Sequence, residues 1–597
     1  MTAGVNLQAL FGEANAAFSA GDLERARELA RTIIGQAPRV PQVRHLLALV
    51  EKRRGDTAAA RAQFAAAVEL GPNDPQVHNN YANLLSDLGE NALALDHYRR
   101  AVALKPDFVD ALVNLAMTAE TEERFVEARQ ALVAATGHRP DLANAWLMLG
   151  LIDRGEGDLE AAVASLDKAV TLAPADSKAA RARATVEAER GGTDPAPYYA
   201  RAEALTPGDL ELFIARNAAD PGGPPAIERH LTAKVNANPD WLDGHMALAQ
   251  LRGQTRTVPP ETSFEAALAD RPRERQLWYG LVALLNRAER HAEARMAIER
   301  ARVALIGDAE AAQVLDHLEA ITADEAGDGA HAAKLLAALP PGDFTLELVR
   351  VRHALRHGRP DEAARLVEPL TATGSALAWA YLGTAWRLTG DARHDWLAGD
   401  DRLVQTLDIA DAMPPLEELA ARLRELHVTR SHPIDQSLRG GTQTDGDILI
   451  RSEPLMRQVR KALGDAIDLY VSRLPPPDPT HPTLKEPRNG ARIVGGWSVR
   501  LSAQGFHINH VHPRGWLSSA FYVSLPPGVG EDESDTAGWL SIGVPPAELK
   551  LGLPPLRLIR PQPGRLALFP SIMWHGTVPF SDGERLTIAF DVAPRRG

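Results

Sequence analysis

The 597-residue sequence contains no cysteine. That absence excludes disulfides, thiolate metal ligands and a cysteine nucleophile together, and leaves any metal site to His, Asp or Glu. No run of about 18 apolar residues occurs, so no membrane-spanning helix is expected. The opening stretch, MTAGVNLQALFGEANAAF, lacks a basic segment followed by an apolar one, and the cytoplasm is the expected compartment. Basic residues are outnumbered, with 65 Lys and Arg against 78 Asp and Glu and a formal charge of -13. Binding to a phosphate backbone normally shows as a basic stripe or patch, so no nucleic-acid partner is expected.

What is present suits a folded protein: 45% of residues are hydrophobic and 24% charged. Single hydrophobic cores stop growing at roughly 250 to 300 residues, so a chain of this length should form several units.

Prolines mark an internal period. Pro38, Pro72, Pro106, Pro140 and Pro174 recur every 34 residues, and Pro207, Pro239 and Pro272 continue less regularly. Gly21, Gly55, Gly89 and Gly157 lie 17 residues before four of these prolines, with Glu123 in place of glycine in the remaining unit. Glycine can take the left-handed conformation that ends one helix, and proline cannot continue the next, so each unit should be a helix-turn-helix pair. Ala60, Ala94, Ala128 and Ala162 share one phase of the repeat and Ala67, Ala101, Ala135 and Ala169 another, as close helix packing requires.

These spacings, with Tyr81, Ala82, Gly89, Ala94, Tyr98, Ala101 and Pro106 in the best unit, resemble the tetratricopeptide repeat family over residues 1–207. Degenerate repeats are expected over 208–395, where HAEARMAIERARVAL and GRPDEAARLVEPL keep a turn followed by an alanine-rich amphipathic helix. Stacked repeats present a concave groove suited to a protein or peptide partner. The alternative is a spacer, or a dimerisation platform that would make the chain a homo-oligomer.

Beyond residue 400 the period disappears. Residues 396–489 are expected to form a helical lead-in and loop, with Leu455, Val459, Leu463, Ile467 and Val471 on one apolar helix face. From 490 to 597, six short β-branched or alternating runs predict strands over 496–502, 506–512, 518–525, 538–544, 564–569 and 585–592. So many short strands suggest a sandwich or barrel.

His510 and His512, two apart on a predicted strand, should project to one face. A third histidine, His575, stands in FPSIMWHGTVP, and Arg585 follows ten residues later at the start of an apolar strand. Iron(II) can be held by three ligands filling one face and leaving the other open. A guanidinium binds carboxylates through two parallel hydrogen bonds.

The segments HVHPRGWLSSAFYVSLP, GRLALFPSIMWHGTVPF and ERLTIAFDV resemble the 2-oxoglutarate/Fe(II) oxygenase family found in bacteria and phages. The expected fold is therefore multidomain α + β: an all-α repeat superhelix, then a double-stranded β-helix (jelly roll) with flanking helices. The resemblance implies iron ligands at His510 and His575, a third at or near His512, 2-oxoglutarate anchored by Arg585, and Tyr522 as a further cosubstrate contact. The wider superfamily carries His-x-Asp or His-x-Glu, and no carboxylate stands two residues after His507, His510 or His512. The third ligand is thus His512, an exogenous group, or a carboxylate from the acidic loop Glu531 to Asp535. Trp497, Arg500, Arg514 and Trp516 could line a substrate cleft, and the glycine-rich stretch 439–447 could cover it. The function so implied is Fe(II)/2-oxoglutarate-dependent hydroxylation of a protein or peptide brought by the repeats. The alternatives are a small-molecule oxygenase whose repeats bind partners, and a non-catalytic interaction protein.

Overall fold

The computed structural model describes residues 6–595 apart from 192, 221, 257, 433, 435 and 514. The chain divides into two compact units. One runs to Arg183 and includes Arg595; the other is Ala184–Pro594.

In the first unit the 34-residue ladder becomes helix pairs: Leu7–Ser19 with Leu23–Gln36, Pro41–Arg53 with Thr57–Leu70, Pro75–Asp87 with Asn91–Leu104, Val109–Thr121 with Phe125–His138, and Ala143–Gly155 with Leu159–Leu172. The side chains of Asp22, Asp56 and Asp158 accept amide hydrogen bonds at helix starts, which satisfies donors the helix itself leaves open. Gly21, Gly55, Gly89 and Gly157 all adopt positive φ, and Glu123 takes the same conformation at φ 56°. The alanines of both phases are fully buried, because a larger side chain there would push neighbouring helices apart.

The second unit begins with helices continuing to Ala398. Ala294, Ala301 and Ala363 are again fully buried, so the repeat geometry outlives its sequence period. The unit boundary falls at 183/184, and the irregular repeats belong with the β-structure.

Among the described residues, nine strands form two antiparallel sheets. They are β1 (Gln405–Asp408), β2 (Leu438–Gln443), β3 (Ala491–His507), β4 (Leu517–Ser524), β5 (Leu540–Ile542), β6 (Arg557–Ile559), β7 (Arg565–Pro570), β8 (His575–Thr577) and β9 (Arg585–Pro594). One sheet has the order β1-β7-β4-β9-β3-β2 and the other β6-β5-β8, the two-sheet plan of a double-stranded β-helix. Two expectations are corrected here. The β-structure does not start at 490, since β1 and β2 supply the edges of the larger sheet, and much of 439–447 is strand rather than cover. Both strands are short, and β2 includes Gly440 and Gly441, so neither shows the alternation that marks a strand in sequence.

The helix Pro454–Arg473 buries Val459, Leu463, Ile467 and Val471. These join Phe521, Leu566, Leu568, Ile588 and Phe590 of the strands in one core, as the spacing of four predicts.

The irregular repeats are fixed to the β-structure by a buried indole and by arginine-to-carbonyl hydrogen bonds nearer the surface. Trp574 donates from Nε1 to Ala380 O at 3.2 Å and to Thr384 Oγ1 at 3.0 Å. Arg387 donates to Gly543 O at 2.9 Å and Pro554 O at 2.7 Å, and Arg356 to Glu548 O at 3.0 Å.

Candidate metal centre

His510 and His512 do not lie within a strand. Strand β3 ends at His507, and the pair follows in the irregular segment after it. The structure instead uses an isolated bridge: His510 N donates to His575 O and His575 N to His510 O, both at 3.0 Å. A pair exchanging both hydrogen bonds holds its two residues directly opposite each other, and the two rings lie 4.3 Å apart. The chain after His575 must also pass close to its neighbour. A Cβ at Gly576 would stand 2.3 Å from Asn509 Oδ1 and 2.8 Å from His507 O, which explains glycine there.

Nitrogens of His510, His512 and His575 come within 4.8 Å of one another. His510 Nδ1 lies 2.8 Å from Ile508 O and His575 Nδ1 3.0 Å from Met573 O. A carbonyl only accepts, so each Nδ1 carries the proton and each Nε2 keeps its lone pair. His512 Nδ1 donates to the Asp591 carboxylate, which gives that ring the same tautomer. His510 Nε2 and His512 Nε2 then face each other at 3.1 Å. Two lone pairs at that distance repel unless a cation lies between them. Two nitrogens bound side by side to one ion at about 2.1 Å stand roughly 3 Å apart, so the donor set fits a metal.

Burial strips water from these rings and disfavours their charged forms. His510 is pushed down to about 3, first by burial and then by the His512 ring. His575 and His507 are held well below the usual imidazole range, again by burial first. Neutral imidazoles are the form that binds a metal.

The three histidines and Arg585 line one cavity of about 1070 Å³. Along β9, Arg585, Thr587, Ala589 and Asp591 all face it, as the period of two dictates. Arg585 is only 2% exposed and has no carboxylate partner among the described residues. Its Nε and the hydroxyl of Tyr522 are buried without a hydrogen-bond partner, and burial lowers its affinity for the proton. The Tyr522 ring does not reach the cavity wall but lies beneath the guanidinium, 5.0 Å from Cζ to ring centre.

The other expected cleft residues fall out differently. Trp497 lines the cavity, its ring 5.6 Å from that of His512. Arg500 is three residues further along β3, on the opposite face from Val499, and pairs with Glu584. Trp516 is buried in the core and donates to Thr483 O at 2.9 Å. Arg514 lies outside the described residues. The acidic loop is occupied elsewhere: Glu533 pairs with Arg560, and Asp532 and Asp535 accept local amides. No carboxylate joins the histidine cluster among the described residues.

Three contributions were not anticipated. Asp591 orients His512, although alternation from Arg585 along β9 places it on the cavity face. Ser437 Oγ sits 3.1 Å from His507 Nδ1 and 3.2 Å from His510 Nε2. Asn286, Arg287, His291, Glu325 and Arg352 of the irregular repeats form the far wall of the cavity, which no local pattern could reveal.

Comparison with known proteins agrees with this division. A family model described as "Putative 2OG-Fe(II) oxygenase" matches residues 495–591, and a tetratricopeptide repeat model matches overlapping segments within 11–178, then 261–310 and 348–392. Protein FlbA of Caulobacter vibrioides is 29% identical over 190 residues, 32% of this chain and 32% of FlbA's own length. Among solved structures, a peptide-binding repeat protein titled YrrB is 23% identical with a TM-score of 0.28, covering 30% of this chain and 95% of its own. The Naa15/Naa10 complex bound to HypK-THB is 15% identical with a TM-score of 0.34, covering 65% of this chain and 73% of its own. The N-terminal region thus carries tetratricopeptide repeats, and residues 495–591 form a domain that matches the 2OG-Fe(II) oxygenase model. No helix among the described residues is long and apolar enough to cross a membrane.

Proposed function

We propose that this protein is an Fe(II)- and 2-oxoglutarate-dependent dioxygenase that hydroxylates a side chain of a protein or peptide. The observation that carries this reading is the buried, carboxylate-free Arg585 in the same cavity as three inward-facing imidazoles. A buried cation without a partner is costly. An anionic ligand that binds both it and a metal resolves that cost.

In this reading His510, His512 and His575 hold the iron, and Arg585, backed by the Tyr522 ring, takes the distal carboxylate of 2-oxoglutarate. Thr587, on the same face of β9, offers that carboxylate a hydroxyl. When bound, the metal and 2-oxoglutarate would supply the oxidative chemistry: decarboxylation of 2-oxoglutarate to succinate and CO2 would give two of the four electrons that reduce dioxygen and the substrate C–H bond the other two, one oxygen atom ending in succinate and the other in the new hydroxyl. The chain's own part is to exclude water, fix the tautomers and neutralise the dicarboxylate.

Support for a large substrate comes from the cavity. At about 1070 Å³ it lies just above the roughly 300 to 1,000 Å³ typical of small-molecule sites, and repeat helices form part of its wall. The test is anaerobic binding of 2-oxoglutarate to the Fe(II)-loaded protein, read by charge-transfer absorption. Wild type should show the band, and Arg585→Ala should weaken cosubstrate binding by roughly 30- to 5,000-fold, the loss expected when a buried charge pair loses one partner. Equal binding by both proteins would refute the assignment of Arg585.

A further inference from the structure

We propose that Asp591 is a positioning residue for the metal, returning to the site, from the far side of the His512 ring, the negative charge that a carboxylate ligand would have supplied. The inference rests on the metal-binding reading above and concerns how this chain manages with three neutral ligands.

The local structure is built around that carboxylate. Strand β9 sets Asp591 opposite Gly495 of β3 and Ser518 of β4. Its Oδ1 accepts from His512 Nδ1 and, more loosely, from Ser518 Oγ at 3.4 Å. Ser518 Oγ is in turn 2.8 Å from Ser571 Oγ, next to the turn that leads to His575. A Cβ at Gly515 would stand 2.6 Å from Ser571 Oγ and 3.2 Å from Asp591 Oδ1, so the glycine leaves room for the group. The carboxylate is largely shielded, with its side chain 15% exposed.

Two consequences follow from this arrangement. His512 is the only one of the three rings whose Nδ1 partner is charged; His510 and His575 use backbone carbonyls. A carboxylate on Nδ1 makes Nε2 a stronger donor and fixes the ring's orientation. The set of three imidazoles with Asp591 also carries one negative charge, the same total as two histidines and one carboxylate.

The experiment uses the full-length protein freed of metal with a chelator and titrated with Co(II), whose ligand-field absorption reports both affinity and geometry. Wild type should bind one equivalent. Asp591→Ala should bind roughly ten- to a hundredfold more weakly, the loss typical for an outer partner of a metal-bound histidine, with an altered spectrum. Asp591→Asn keeps the shape and one accepting oxygen but not the charge, and should lose less. Thermal unfolding of the metal-free proteins separates a folding defect from a site defect. If Asp591→Ala does not fold, Asp591→Asn decides the question. Wild-type affinity and spectrum in both variants would overturn this inference and leave the metal reading intact. A wild-type protein that takes up no Co(II), tested beside His575→Ala as the negative control, would overturn the metal reading itself.

Discussion

The helix pairs of residues 7–172 and the helices of 210–398 share one architecture, yet only the second set lines the cavity. In the first set each pair is served by its neighbours, and fully buried alanines recur at both phases of the repeat. In the second set Arg356, Ala380, Thr384 and Arg387 are committed to the β-structure. A helix that must match a sheet as well as the next repeat cannot keep the strict spacing of one that matches repeats alone. The faded period therefore marks a wall of the site rather than the decay of an array.

Acid should separate the two regions most strongly. His510 titrates near 3 in the folded chain, whereas an exposed imidazole takes up its proton near 6.5. The sign follows from linkage. Above 6.5 neither state is protonated and stability is complete; below it the unfolded chain binds protons that the folded site refuses, so stability falls until about pH 3. That loss is about 1.4 kcal/mol per pH unit per buried imidazole, or about 4 kcal/mol from His510 alone by pH 3.5. His507 and His575 act in the same direction. The first unit holds His45 and His97 with lowered affinities as well, but both are less deeply buried. Equilibrium unfolding followed at several pH values should show the second unit losing structure first, and metal should protect it by competing for the same lone pairs. A first unit that melts earlier would break the comparison.

Next in size is Trp574→Ala. The indole ties the turn before His575 to the helix Ala376–Thr389 and is 5% exposed, and truncating such a buried aromatic costs roughly 3 to 5 kcal/mol. Denaturant unfolding should show that loss in the second unit alone, with Co(II) binding weakened because the His575 turn loses its anchor. Unchanged stability would mean that the irregular repeats and the β-structure are less interdependent than their contacts indicate.

These two tests follow the line between what the residues disclose and what they hide. The regular repeats were legible because a 34-residue period is a local signal repeated five times, and the fit extended to Glu123 standing where glycine stood elsewhere. His510, His575 and Arg585 were legible because their order along the chain matches a known pattern. Strand β1 was hidden because four residues carry little alternation, and β2 because its two glycines interrupt it. Arg500 and Trp516 were misplaced for a different reason: composition suggests a cleft, but the period of two and the core decide which way a side chain faces. Asp591 follows Arg585 by six residues on one strand, so alternation alone could have placed it in the cavity. The repeat wall could not have been found this way, since Asn286 and Arg352 come to line the histidines' cavity only through the packing of distant segments.

The smallest expected effect lies in the first unit and isolates backbone geometry from every contact in the site. Glu123 occupies the left-handed region at φ 56°, which costs a residue with a side chain roughly 1 to 2 kcal/mol. Glycine would remove that strain but lose about 0.5 to 1 kcal/mol through its greater freedom in the unfolded chain. Glu123→Gly should therefore stabilise the first unit by about 0.5 to 1 kcal/mol. Gly89→Ala should do the reverse by about 1 kcal/mol, since its φ is 76° and a Cβ there meets nothing within 4 Å. Thermal unfolding reads both, and Co(II) affinity should stay unchanged in each. If Glu123→Gly melts lower, the glutamate's own contacts outweigh its backbone strain, and the fourth turn is held by its side chain where the other four are held by glycine's conformation.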